Sequence, residues 1–381
     1  MQTLRVALQQ THPLKRKTCA FLVVFLILNS VVVAGPKGHA NATDPPATTV
    51  HTYYIAADEV IWEYAPRGRN ALGLPGAEIE GPTAGTKFRK AVYREYTDDA
   101  FTTLKPRPPE WEHLGILGPL IRAEVGDVIK IVFKNNARIF GGMHCHGLLY
   151  GKDSEAAVYR DGVMPEQKKG YAIPPGQTFT YTWTVPERAG PGPGDPSSVL
   201  WVYHTEWIQP RDVNAGLFGP IIVSRKGSTR PNGTPQDVDR EFIVAFAVFD
   251  EAESWYFEAN TDNQRKYTPG LRFTNPALRK RYLLYSLNGF IGGNLPMLTM
   301  KRGERVRWYI LANSNVDDVH TAHWHGQTAI FHNMRADTVH LEPMTTAVVD
   351  MMPDNPGTWL FHCLVTEHLE GGMGALFTVT P

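Results

Sequence analysis

From about Val50 onward the chain is written in short runs of β-branched and aromatic residues, separated by turns that carry Gly and Pro. Tyr53-Tyr-Ile-Ala-Ala57, Val128-Ile-Lys-Ile-Val-Phe133, Thr178-Phe-Thr-Tyr-Thr-Trp183, Phe242-Ile-Val-Ala-Phe246 and Arg305-Val-Arg-Trp-Tyr-Ile310 are of this kind. Runs of that length and make-up, bounded by turn residues, read as strands. No segment sustains a 3.6-residue periodicity. The pattern therefore predicts an all-β chain of sandwiches or barrels.

The runs also repeat. Gly126-Asp-Val-Ile-Lys-Ile-Val-Phe-Lys-Asn135 answers to Gly303-Glu-Arg-Val-Arg-Trp-Tyr-Ile-Leu-Ala-Asn313, and His144-Cys-His-Gly147 answers to His323-Trp-His-Gly326. Trp201-Val-Tyr-His204 answers to Trp359-Leu-Phe-His362, and Gly216-Leu-Phe-Gly219 falls where Gly372-Met-Gly374 falls. A long self-similar period means duplicated structural units. Two related β domains are expected, residues 50–225 and 236–381, with the polar stretch Ser224 to Arg240 as their linker.

Composition supports two or three buried cores: 381 residues, 43% hydrophobic and 11% aromatic, at roughly 150 residues per domain. Lys plus Arg equals Asp plus Glu at 38 each. With no basic block there is no electrostatic footprint for nucleic acid, and none is expected as a partner. The first 34 residues differ from the rest. Arg5, Lys15, Arg16 and Lys17 precede an apolar run from Ala20 to Val33 that ends at Ala34 and Gly35. That is the pattern of a secretory signal peptide, residues 1–34, and a membrane enters only if the segment is left uncleaved as an anchor. The sequons Asn41-Ala-Thr43 and Asn232-Gly-Thr234 fit a secreted glycoprotein. Cys19 lies in the leader, so only Cys145 and Cys363 remain. A disulfide scaffold is excluded, and a cysteine beside histidines points to a thiolate metal ligand.

Eight of the 14 histidines fall in four short segments: His144 and His146; His204; His320, His323 and His325; His362 and His368. Residues i and i+2 of a strand share a face, so His-x-His delivers two imidazoles to one side. The same alternation separates His362 from Cys363. If His362 faces a shared site, Cys363 faces the interior of its own domain, where it can meet His320, His368 and Met373. One thiolate, two imidazoles and a weak thioether are the ligand set of a mononuclear blue-copper (type 1) centre. The first domain has Gly141, Thr205 and Leu217 in the corresponding places, so one such copper per chain is expected. Cys145, between two outward histidines, is read as a buried free thiol.

These segments, with Tyr53-Tyr-Ile-Ala-Ala-Asp-Glu-Val-Ile-Trp62, Leu114-Gly-Ile-Leu-Gly-Pro119, His320-Thr-Ala-His-Trp-His-Gly326 and Trp359-Leu-Phe-His-Cys-Leu-Val-Thr-Glu-His-Leu-Glu-Gly-Gly-Met373, resemble the copper motifs of multicopper oxidases of the ceruloplasmin and hephaestin type. The resemblance extends to the A domains of coagulation factors, which share the fold without being oxidases. It implies two tandem cupredoxin-like Greek-key β-sandwich domains. It also implies a reductant oxidised at the type 1 copper, a metal ion or a small molecule, and O2 reduced at a second, interdomain copper site.

Carried over by position, the resemblance gives His144 and His323 to type 2 copper, and His146, His204, His325 and His362 to type 3 copper. It expects histidine at positions 206 and 364, where this chain has Glu206 and Leu364. The Glu206 carboxylate is itself a copper ligand candidate, so either a full trinuclear cluster or a mononuclear or dinuclear remnant fits. Glu367 stands where the iron-oxidising members keep an acid. Their further Glu and His before an Asn-Gly pair correspond to Lys280 and Tyr285 before Asn288-Gly289.

The shared site draws motifs from both domains, so domain two of one copy facing domain one of the next would close as a homotrimer; a monomer with open half-sites is the alternative. The expected function is a secreted copper oxidoreductase in which Cys363 and His362 link the two sites and Glu367 lies beside the substrate. The alternatives are a cupredoxin electron-transfer or non-catalytic binding protein with a degenerate cluster, and a nitrite-reductase-like enzyme.

Overall fold

The computed structural model describes residues 48–74, 85–261, 280–313 and 319–381. The leader-like segment 1–34 and the sequon at Asn41 lie outside the described residues. The first half contains β1 (Val50–Glu63), β2 (Lys87–Tyr96), β3 (Ile121–Glu124), β4 (Val128–Asn135), β5 (His144–Cys145), β6 (Thr178–Thr184), β7 (Ser198–His204), the helix α1 (Gln209–Ala215) and β8 (Phe218–Ser224). The second contains β9 (Arg240–Asp250), α2 (Phe257–Asn260), β10 (Leu283–Leu287), β11 (Leu298–Lys301), β12 (Val306–Ala312), β13 (His320–Trp324), β14 (Ala329–Phe331), β15 (Met334–Ala336), β16 (Thr338–Leu341), β17 (Thr346–Met351), β18 (Gly357–Cys363), α3 (Thr366–Glu370) and β19 (Gly374–Thr380).

Each half makes two sheets. Their orders are β2-β1-β4-β6 and β3-β8-β7-β5 in the first half, and β10-β9-β12-β17-β14-β15 and β11-β19-β18-β13-β16 in the second. The sequence repeat is carried into the pairing. The parallel pair β1 and β4 matches the parallel pair β9 and β12, and β3 with β8 matches β11 with β19. The antiparallel pair β5 and β7 matches β13 and β18. Strand Val128–Asn135 shows why these runs are strands: Ile129, Ile131 and Phe133 turn into the core while Lys130 stays outside, the period-2 alternation of a half-buried sheet.

Strands β9 and β12 differ, being buried on both faces. Phe242, Val244, Phe246 and Val248 of β9 face the core of their own sandwich with Trp308 and Ile310 of β12. The alternate residues Ile243, Ala245, Ala247 and Phe249, with Tyr309 and Leu311, form a further core against Leu117, Leu200, Phe218 and Ile222 of the first half. The continuous apolar run of β9 is thus the signature of a strand covered on both sides. At roughly 25 cal/mol per Å² of apolar surface removed from water, such a layer joins the two sandwiches firmly. Polar ties reinforce it. Arg122 Nη2 meets Glu241 Oε2 at 2.6 Å, Tyr309 donates to Glu241 Oε1 at 2.9 Å, and the Ile243 amide donates to His113 Nε2 at 3.2 Å. Burial pushes the His113 imidazole down to about 4, so it is a neutral acceptor here.

Candidate metal centres

Strands β13 and β18 pair in the register His323 with His362 and Ala322 with Cys363. Consecutive residues point to opposite faces, so the strand end carries His362 to one side and Cys363 to the other. His320, three residues before His323, shares the inner face with Ala322. After Cys363 the chain makes the single helical turn α3 and returns at Met373. The Cys363 amide donates to the Met373 carbonyl at 3.1 Å, and the Met373 amide to the His368 carbonyl at 2.8 Å. Cys363 Sγ lies 3.8 Å from His320 Nδ1 and 3.6 Å from His368 Nδ1, and the two nitrogens are 3.1 Å apart.

Those separations test whether a metal fits. With metal–nitrogen bonds of about 2.0–2.1 Å and a metal–sulfur bond of about 2.3 Å, ligands at trigonal to tetrahedral angles stand about 3.3–3.8 Å apart. The trio matches, with the nitrogen–nitrogen edge slightly closed. Burial pushes the Cys363 thiol up, but contacts from His320 and His368 and from the Thr321 and Val365 amides outweigh it and hold the thiol at about 6. A soft thiolate, two imidazoles and the buried thioether residue Met373 suit copper.

On the opposite faces are two histidine triads. His144, His146 and His204 bring one ligand nitrogen each within 4.8 Å of one another, as do His323, His325 and His362. The two are built alike. His146 and His204 meet Nε2 to Nε2 at 3.0 Å, and so do His325 and His362. The other ring nitrogen donates to a backbone carbonyl in four cases: His144 to Glu155 (2.7 Å), His204 to Thr205 (2.9 Å), His323 to Asp337 (3.0 Å) and His362 to Cys363 (2.8 Å). These bonds fix the tautomer and leave Nε2 as the ligand atom. The glycine after each His-x-His has positive φ, +76° at Gly147 and +69° at Gly326. A Cβ at Gly147 would lie 2.4 Å from the Trp201 ring, so only glycine lets the chain turn there. Burial, helped by the neighbouring imidazole, lowers His146 to about 4 and His204 to about 3, and it lowers His325 and His362 as well. All four are neutral, the ligating form, near neutral pH.

Among the described residues the first half has no thiolate cluster of this kind. Thr205 occupies the place of Cys363, its amide donating to the Leu217 carbonyl at 3.3 Å as that of Cys363 does to Met373. Among the described residues the buried Thr205 hydroxyl has no hydrogen-bond partner. Cys145 is a free, buried cysteine inside the first core, its thiol pushed well up by burial.

Of the remaining sequence candidates, Glu206 lies at the edge of the first triad, Oε1 3.5 Å from His204 Nε2, and burial raises its carboxyl. Leu364 is 47% exposed. Glu367 is exposed and accepts a hydrogen bond from Tyr285 at 3.2 Å. Within one chain the two triads stand as separate clusters. Sequence reasoning missed the contact of Tyr285 with the thiolate centre: its ring stacks on His368 at 5.0 Å and 30°. It also missed the pair Trp207 and Trp255, stacked at 4.6 Å and 8° next to Glu206. Both rest on long-range packing that carries no local signal. No helix among the described residues is long and apolar enough to cross a membrane.

Comparison with known proteins agrees with this donor chemistry. Two family models, each described as multicopper oxidase, match residues 114–228 and 256–381. The chain is 40% identical to human hephaestin over 357 residues, covering 90% of this chain and 30% of that protein. It is 37% identical to the human ferroxidase HEPHL1, covering 95% and 31%, and 39% identical to human ceruloplasmin, covering 87% and 32%. It thus spans about a third of the length of these relatives. Among solved structures, a multicopper oxidase superposes with a TM-score of 0.57 at 20% identity, covering 89% of this chain and 92% of that one. The blue copper oxidase of Nitrosomonas europaea superposes with 0.54 at 18% identity, covering 87% and 86%. At that identity the superpositions speak for the fold alone, a cupredoxin-like β-sandwich architecture.

Proposed function

Because this chain belongs to the multicopper oxidase family, we propose that it is a copper-dependent oxidoreductase that oxidises a metal ion or small reductant and passes the electrons to O2. His320, Cys363, His368 and Met373 would hold a type 1 copper, and the two histidine triads with Glu206 would hold the coppers of the second site. Copper supplies one-electron chemistry at the first site and O2 reduction at the second. The chain's own residues do the rest. The observation that carries the reading is the back-to-back arrangement of Cys363 and His362: the thiol faces His320 and His368, while the His362 imidazole donates to the Cys363 carbonyl at 2.8 Å. One covalent link and one hydrogen bond therefore couple the two faces of a single strand end.

The triads are separate within one chain, so a shared site forms where the His323, His325 and His362 face of one copy meets the His144, His146 and His204 face of another. Such a head-to-tail contact closes as a ring, and a homotrimer is the assembly proposed. The apolar, exposed Leu364 beside His362 suits burial in that contact. The leader-like segment 1–34 supports secretion.

Glu206 and Leu364 favour a second reading, an electron-transfer or binding protein whose oxygen site has decayed. Copper per chain, electron paramagnetic resonance and O2 uptake with Fe(II) and with an aromatic amine separate the two. Several coppers per chain with reductant-dependent O2 uptake support the oxidase. A single thiolate-bound copper without O2 uptake supports the electron-transfer protein.

A further inference from the structure

We infer that Tyr285 is the residue through which an incoming electron reaches the thiolate centre, with Glu367 holding its hydroxyl and setting the charge of the donor that docks there. This rests on the type 1 copper reading above. His320, Cys363 and Met373 are fully buried and His368 is only 6% exposed, so a reductant in solution has almost no direct contact with a ligand. Tyr285 packs on His368 and is itself only 7% exposed, meeting the surface through its hydroxyl at the exposed Glu367. Its ring lies 5.0 Å from the imidazole, centroid to centroid, and 30° from its plane. Its hydroxyl donates to Glu367 Oε1, and Glu367 is exposed one residue before His368 on the same helical turn.

The ring also packs closely on Gly371. A Cβ on Gly371 would sit 2.1 Å from the Tyr285 ring, so the chain closes onto the tyrosine at a place where only glycine fits. A ring packed on both His368 and Gly371 is pre-positioned and needs no rearrangement to couple. Electron tunnelling falls steeply with through-space gaps, and the stacked pair offers a continuous path from the Glu367 surface to the metal ligand. In the step, a docked donor would give one electron to the copper(II) that His320, Cys363, His368 and Met373 would hold, leaving oxidised by one as that copper is reduced by one. No bond forms or breaks and no proton moves. The Glu367 carboxylate draws cationic donors and repels anionic ones.

The test uses the full copper-loaded chain under anaerobic conditions, with hexaammineruthenium(II) as the cationic and hexacyanoferrate(II) as the anionic donor. Wild type, Tyr285→Phe, Tyr285→Leu and Glu367→Gln are compared by rate of copper reduction, midpoint potential and electron paramagnetic resonance. Tyr285→Leu is expected to slow reduction by both donors about tenfold or more at matched driving force, while Tyr285→Phe retains most of the rate. Glu367→Gln is expected to slow the cation and speed the anion. A Tyr285→Leu chain with unchanged resonance that reduces as fast as wild type overturns the inference, as does a Tyr285→Phe chain as slow as Tyr285→Leu. Absence of a thiolate–copper signal in wild type would overturn the parent reading and this one together.

Discussion

His362 and Cys363 are adjacent in sequence and serve opposite faces of one strand end: the imidazole Nδ1 donates to the Cys363 carbonyl at 2.8 Å, while the thiol turns to His320 and His368 at 3.8 and 3.6 Å. Two candidate metal centres are thereby separated by a single peptide link. The alternation of a β-strand is sufficient to produce this.

Replacing Cys363 with serine removes the thiolate and leaves the face of His362 untouched. The expected outcome is loss of the thiolate–copper colour and of about one copper per chain, with metal at the histidine triads retained. Metal analysis of Cys363→Ser beside wild type, with visible spectra, checks this.

The copper-free chain should lose stability in mild acid. His146 and His204 titrate at about 4 and about 3 in the folded chain, against 6.5 for a free imidazole. Below 6.5 the unfolded chain therefore binds more protons, and folding weakens as pH falls from about 6.5 toward 3. Thermal unfolding of the apo chain across that range should show a falling midpoint. His204→Asn should flatten the dependence.

The Thr205 hydroxyl is buried and has no hydrogen-bond partner among the described residues. Thr205→Val keeps the shape and removes the unpaired group, so a gain of about 1 kcal/mol in unfolding free energy is expected from urea titration. A loss would mean that the hydroxyl is satisfied in solution.

Glu206 and Leu364 stand where the family pattern places histidine. If the proposed shared site exists, the double variant Glu206→His with Leu364→His should raise the copper bound there by about one ion per site, since affinity follows ligand number and type. Copper analysis of the assembled protein, with sedimentation to establish its copy number, checks this.

Much of the fold was legible because its signals are local. The run Val128–Phe133 alternates, the turns carry glycine, and the repeat of His144-Cys-His-Gly147 in His323-Trp-His-Gly326 announces a duplicated unit. The grouping of Cys363 with His368 was legible for the same reason, since the two lie five residues apart on one short stretch of chain. Other features depend on contacts between distant segments. The apolar run Phe242–Phe249 reads as a buried strand, yet nothing in it says that Ile243 and Ala245 face Leu117 and Phe218 of the other half. Strand β5 has only two residues, too short to read from periodicity. His113 reads as an ordinary histidine, and its role as acceptor for Ile243 comes from packing alone. The Tyr285 contact with His368 is of the same kind.

The most direct test of the central claim, that the Cys363 centre feeds a second site through His362, is the return of colour after reduction. The copper-loaded chain is bleached anaerobically with one-electron reductant and then exposed to O2, in wild type and in His362→Ala, both first shown to have the same oxidised resonance at the Cys363 centre. Rapid recolouring of wild type, with His362→Ala remaining bleached, is the predicted result. A wild type that stays bleached, or a His362→Ala chain that recolours as fast, would contradict it.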